Sequence, residues 1–151
     1  MADKNITPIE KPYYELVFVV LVYRNIEVLR QFFASLALSY SYRVVVVNSF
    51  YDQSTEEACR SLCKEHDADF MTVPNKGFGV GNNTGCRFVM DHYLYRFLVL
   101  SNSDIMIRDI NDLSLIDEHK AVYAADVRSV SSDAGTPTQN ISRSISFVGL
   151  I

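Results

Sequence analysis

Along the chain, short wholly apolar runs alternate with stretches whose apolar residues recur every three or four positions. Residues 17–22 are a continuous β-branched and apolar run, the pattern of a strand buried on both faces. Residues 43–47, 70–73 and 97–100 repeat that pattern, and 121–126 predict a further strand. Between the first two runs, Asn25 is placed to cap a helix whose apolar stripe is Ile26, Leu29, Phe33 and Leu36. Ser54 and Glu57 make a capping-box pattern for a second helix. Glu56 and Glu57 fall in its first turn, and Lys64 and His66 in its last, as the helix dipole favours. A glycine-rich stretch then leads to a third helix of about four turns over 83–96. A short helix is expected over 112–119. Strands and helices in alternation, with strands of the buried type, predict an α/β fold: a three-layer sandwich with a mostly parallel central sheet.

Such sheets bind ligands beyond the carboxyl ends of their strands, where strand order reverses. The polar segments that follow the first four runs are Tyr23-Arg24-Asn25, then 48–52, 74–85 and 101–104. Four polar edges are therefore expected to meet at one crevice.

Composition narrows the picture. The 151 residues are 48% hydrophobic and 21% charged, as in a packed globular protein. One domain is expected. The net charge of −4 offers no basic stripe for a phosphate backbone, which argues against nucleic acid as a partner. Cys59, Cys63 and Cys86 match no zinc spacing and are expected as small core residues in a reducing compartment. Residues 1–12 lack the apolar region of a signal peptide, and the run 17–22 is far too short to span a bilayer. The expectation is a cytoplasmic protein. His66, His92 and His119 show no metal-binding spacing, and the last two are expected on helix surfaces.

The sharpest chemical feature is the glycine segment. Gly77, Gly79 and Gly81 alternate, and Gly85 follows four residues later. Alternating glycines permit positive φ and close approach of a ligand to the backbone. Asn82 and Asn83 are expected where the helix begins, with free amides facing an anion. The same glycines also suit a strand-to-helix turn that serves shape alone. Lys76 by itself is an ordinary solvated side chain. Asp104, at the end of the fourth run, suits Mg2+ or Mn2+ when a diphosphate supplies the remaining oxygens and Asn102 assists. An ordinary turn or helix-capping Asp fits it equally. Asp52 suits either a base or ribose contact or an Asx-turn.

These segments together resemble glycosyltransferase family 2, the GT-A-fold enzymes, and most closely the rhamnosyltransferase-like members. N-K-G-F-G-V-G-N-N-T-G at 75–85 is similar to a loop commonly written N-x-G-F-G-x-G-N-N-x-G. F-L-V-L-S-N-S-D at 97–104 resembles the strand ending in that family's D-x-D motif, here as N-x-D. V-V-L-V-Y-R-N at 19–25 and V-V-V-V-N-S-F-Y-D-Q-S-T at 44–55 resemble its first two strands and their loops. Order and spacing agree across residues 14–126. The resemblance implies a Rossmann-like nucleotide-binding architecture and transfer of a sugar from a nucleoside-diphosphate donor, dTDP- or UDP-linked, to a glycan or lipid-linked acceptor. It implies Mg2+ or Mn2+ held by Asp104 with Asn102 nearby. Tyr23 and Asn25 would line the nucleotide, Asp52 would sit near base or ribose, and 79–83 would shape the donor pocket beside Lys76 and Gly77. Cell-surface polysaccharide or glycan synthesis follows as the setting, and peripheral association with the inner membrane face stays open.

Two departures accompany the resemblance. The family's second strand usually ends in an Asp that contacts the base, whereas the matching place here holds Val47 or Asn48, depending on a one-residue gap. The family's general base lies in a later acidic motif, so the chain is expected to carry the donor-binding part and stop before that base. Two other readings remain. Gly79 and Gly81 with Asp104 about 20 residues on loosely fit a dinucleotide-binding oxidoreductase, and the fold is also compatible with a non-catalytic module acting through a partner.

Overall fold

The computed structural model describes residues 10–107, 110, 113–115, 122–124 and 146–149. Three βα steps and a fourth strand build the first part of the chain: β1 (Tyr13–Val22), α1 (Ile26–Ser35), β2 (Tyr42–Ser49), α2 (Gln53–Glu65), β3 (Asp69–Val73), α3 (Phe78–His92) and β4 (Leu94–Asn102). β1 to β4 are parallel and lie in the order β3-β2-β1-β4. The sheet continues with β6 (Ser146–Gly149), antiparallel to β4, and β5 (Val122–Ala124), antiparallel to β6. The expected α/β architecture with a mostly parallel sheet is therefore the one observed.

β1 is central, and Leu16 to Val22 are all buried. Strand alternation sends its side chains to two cores. Leu16, Phe18, Val20 and Val22, with Val44 and Val46 of β2, pack on Leu29, Phe32 and Phe33 of α1 and Leu62 of α2. Cys59 and Cys63 lie in that core as free, buried thiols, and Cys63 is pushed up by its hydrogen bond with Cys59 and by burial. On the other face, Val17, Val19, Leu21, Val45 and Val47 pack against α3 through Val89. No helix among the described residues is long and apolar enough to cross a membrane.

Several boundaries differ from the sequence reading. α3 begins at Phe78, not near Asn83, so the glycine segment is itself helical. The reason is packing: Gly81 and Gly85 let α3 lie directly on β1 and β2. A Cβ at Gly81 would collide with Leu21 Cδ1, and one at Gly85 with Val19 Cγ1 and Val47 Cγ2. Glycine's poor helix propensity, about 1 kcal/mol per residue, is outweighed by that contact. α2 is capped by Asp52, whose carboxylate accepts the Thr55 N–H at 2.7 Å, and not by a Ser54–Glu57 box. Glu57 instead accepts from Gln53 one turn earlier. Asn25 caps α1 as expected, accepting from Glu27 and Val28 N–H. Of the helix expected over 112–119, Leu113–Leu115 is a single 3-10 turn. The rest of that span, His119 included, lies outside the described residues, as do 121, 125 and 126 on either side of β5.

At the amino ends of the strands a polar staple holds β2 to β3. Arg43 donates Nε and Nη2 to the two carboxylate oxygens of Asp69 at 2.9 and 3.0 Å. Tyr93 donates its hydroxyl to the same carboxylate at 2.6 Å. Burial, and then the bond to Asp69, push the Tyr93 phenol from its ordinary 10 up to about 12. A group whose pKa is raised on folding contributes stability that is complete below its unfolded value and lost as pH rises through its folded value. Stability measured by urea unfolding is therefore expected to fall between pH 10 and about 12. Tyr93→Phe should remove that part of the alkaline loss.

Candidate functional site

The strand order β3-β2-β1-β4 reverses direction of winding between β1 and β4, and the carboxyl ends of those two strands bound a cavity of about 480 Å³. It is lined by Leu21, Tyr23, Asn25 and Val28 from the first βα step, Ser49 from β2, and Asn75, Gly77 and Phe78 from the entry to α3. Asn102, Ser103 and Asp104 from the end of β4 complete it. Its volume is in the range of small-molecule sites, and its position is where open α/β sheets bind ligands.

Each wall has a local cause. β1 leaves the sheet through a γ-turn: Asn25 N–H donates to the Tyr23 carbonyl at 2.8 Å across Arg24, whose φ is +68°. That hand of turn is strained for a non-glycine residue. It orients Tyr23 toward the cavity and frees Asn25 to cap α1. Arg24 is held over the Tyr51 ring at 4.2 Å and donates to the Tyr51 hydroxyl at 2.9 Å. Tyr23 and Tyr51 meet edge to face at 5.9 Å. β1 and β2 thus share an aromatic and guanidinium rim.

β3 passes into α3 through Gly77, which adopts φ +92° as the N-cap. No side chain caps this helix. Its first-turn N–H groups therefore lack partners within the helix and lie beside the cavity with the positive end of the helix dipole. Phe78, 65% exposed, forms an apolar lip.

The end of β4 is tied to β1 by the Ser103 N–H, which donates to the Leu21 carbonyl at 3.2 Å. Beyond it Ile105 and Ile107 are buried against the α1 side, and the Ile107 N–H donates to Ser35 Oγ at 2.9 Å. Asp104 sits between these two anchors, exposed, and is the one charged residue among those lining the cavity.

The cavity brings together five of the residues expected from sequence: Tyr23, Asn25, Gly77, Asn102 and Asp104. The others lie elsewhere. Asn48 is fully buried on the α1–α2 side, with Nδ2 donating to Thr72 Oγ1 at 3.4 Å and Oδ1 unpartnered. Asp52 is committed to its cap, and the Thr55 N–H bond holds its carboxyl below the ordinary range. Lys76 and Gly79 are exposed and are not among the residues lining this cavity. Gly81 faces Leu21. Asn82 and Asn83 lie inside α3 rather than at its start, so neither caps it. Residues that sequence reasoning did not single out are Ser49, Asn75, Phe78 and Ser103. The alternation of β2 would have separated Ser49 from Asn48, had the strand's end been fixed.

The described residues hold no group of three His, Cys, Asp or Glu side chains able to cage a metal by themselves. Asp104 with the Asn102 carboxamide fits the other mode, in which Mg2+ or Mn2+ takes one carboxylate from protein and most of its oxygens from phosphate and water.

No family model and no curated protein matches the chain. Solved structures do match its fold. The mannosyltransferase PcManGT from Pyrobaculum calidifontis, in complex with GDP-Man and Mn2+, superposes with a TM-score of 0.52 at 19% identity over 70% of this chain. S. aureus TarS 1-349 superposes with a TM-score of 0.57 at 18% identity over 85% of the chain. The chain spans 33% of the first structure and 40% of the second. The class the fold defines is thus the α/β architecture seen in glycosyltransferase structures.

Proposed function

We propose that this chain is the donor-binding part of a glycosyltransferase, moving a sugar from a nucleoside-diphosphate sugar to an acceptor hydroxyl. The observation that carries the reading is the cavity at the β1/β4 switch point. There a single carboxylate, Asp104, lines the same cavity as Gly77 and Phe78 at the start of α3, on a fold like that of a mannosyltransferase in complex with GDP-Man.

The residues divide the work as follows. The first-turn amides of α3 face the anionic diphosphate, and Gly77 lets the backbone approach it without a side chain between. Asp104 and Asn102 hold Mg2+ or Mn2+ against the same diphosphate. When bound, the metal offsets the charge that gathers on the departing diphosphate. Tyr23 and Phe78 wall the nucleoside from water. The lining holds no second carboxylate, so these residues bind the donor and leave acceptor activation to a group outside the cavity. The family resemblance favours polysaccharide or glycan synthesis at the cytoplasmic side of a membrane.

Titration of the chain with nucleoside diphosphates and with NAD(H), with and without Mn2+, tests the reading. A diphosphate at 100 times its dissociation constant should stabilise the fold by about 2.7 kcal/mol, seen as a rise in melting temperature. Tight NAD(H) binding with no response to any nucleoside diphosphate would favour the dinucleotide reading instead.

A further inference from the structure

From the end of β4 the chain keeps a strict alternation, although only Ser101 and Asn102 belong to the strand. Ser101, Ser103, Ile105 and Ile107 are buried, while Asn102, Asp104 and Met106 are exposed. The Ile105 N–H donates to the Asn102 carbonyl at 3.4 Å, closing a turn with Ser103 and Asp104 at its corner. Among the described residues, the last backbone bond from this segment to β1 is that of the Ser103 N–H to the Leu21 carbonyl. Past it the segment is held by what it meets on α1. The Ile107 N–H donates to Ser35 Oγ at 2.9 Å, and the Ser35 hydroxyl donates to the Phe32 carbonyl at 2.6 Å. One hydroxyl thus accepts and donates at once, which fixes its orientation. Phe32 lies in the last turn of α1, where carbonyls lack helical partners. The other end of α1, about 15 Å away, is capped by Asn25, which lines the cavity.

We infer that Ser35 is a positioning residue for the metal-holding carboxylate, its hydroxyl fixing through Ile107 the side on which Asp104 is presented. The inference rests on the donor-site reading. In an alternating segment a shift of one residue exchanges the two sides. Here it would carry the Asp104 carboxylate toward the apolar core and the isoleucines toward solvent. Ile105 and Ile107 pack in the core with α1 and resist that shift. Apolar burial is non-directional, however, and tolerates sliding. The bond from Ile107 to Ser35 is directional and ties one particular backbone N–H to one point on α1. Ser35 itself touches neither donor nor metal. Its effect reaches the metal only through the backbone between Ile107 and Asp104.

Calorimetric titration of the full chain with inorganic pyrophosphate, with and without Mn2+, tests this in the wild type and in Ser35→Ala and Ser35→Thr. Ser35→Ala is expected to weaken pyrophosphate in Mn2+ about tenfold, as loss of an outer partner does at metal sites. Binding without metal should be unchanged, because the α3 amides do not depend on Ser35. Ser35→Thr should restore the wild-type value, since a helical Thr hydroxyl also bonds the carbonyl three residues back. Should Ser35→Ala not fold, Ser35→Cys, of like size with a weakly hydrogen-bonding thiol, carries the same comparison. Unchanged affinity in Mn2+, equal loss with and without metal, or a loss that Ser35→Thr does not restore overturns the role of Ser35 while the donor site stands. Absence of metal-dependent pyrophosphate binding in the wild type overturns the donor site and the role of Ser35 together.

Discussion

Gly85→Val is expected to destabilise the fold by about 3 kcal/mol, the upper part of the range for overpacking a core. The position lies where α3 crosses β1 and β2. A Cβ there meets Val19 and Val47, with Val47 Cγ2 at 2.9 Å. Both side chains are fully buried and β-branched, so neither can swing aside. Leaving glycine improves helix propensity by at most about 1 kcal/mol, which is too little to offset the clash. Gly85→Ala should therefore also destabilise, by about 1–2 kcal/mol. Gly79 provides the opposite sign. It lies in the same helix with nothing within 4 Å of an added Cβ and no positive φ. Gly79→Ala should stabilise by about 0.5–1 kcal/mol through the unfolded chain. Urea unfolding of the three variants checks the pair. Equal effects at 79 and 85 would mean that α3 does not rest on the sheet through its glycines.

The second large effect concerns ligand rather than fold. Asp104→Asn is expected to abolish the metal dependence of diphosphate binding and to weaken UDP in Mn2+ by about 100-fold, some 2.7 kcal/mol. The substitution keeps size and shape at an exposed position and removes the single charge of the cavity lining. Weak binding without metal should persist in the variant, because the α3 amides are untouched.

Strands were legible in the sequence because strands buried on both faces need uninterrupted apolar runs, and 17–22 and 43–47 have no other sensible reading. Their ends were not. The last residues of β2 are polar, and a shift of one position exchanges the faces of Asn48 and Ser49, one entering the α1–α2 core and the other the cavity. The start of α3 was hidden for a different reason. Helix propensity places a boundary after the glycines, whereas tertiary contact with Leu21 and Val19 demands glycine inside the helix. Asp52 and Ser54 both suit a cap, and only backbone geometry separates them. At the site, Asp104, Asn102 and Tyr23 were found because each follows an apolar strand. Asn75 and Phe78 stand at fixed positions of the N-x-G-F-G motif, yet their residue types alone assign them no role.

The central claim is that a metal and a nucleoside diphosphate meet at the carboxyl edge of β1 and β4. Paramagnetic broadening of backbone amide resonances by Mn2+ in the presence of UDP tests it most directly. The expected result is broadening at Gly77, Phe78, Ser103 and Asp104, absent in Asp104→Asn. The amide of Tyr93, which precedes β4, should stay sharp, since the nine residues of that strand put about 30 Å between it and Asp104. Broadening centred on Tyr93, or a pattern unchanged by Asp104→Asn, would contradict the account.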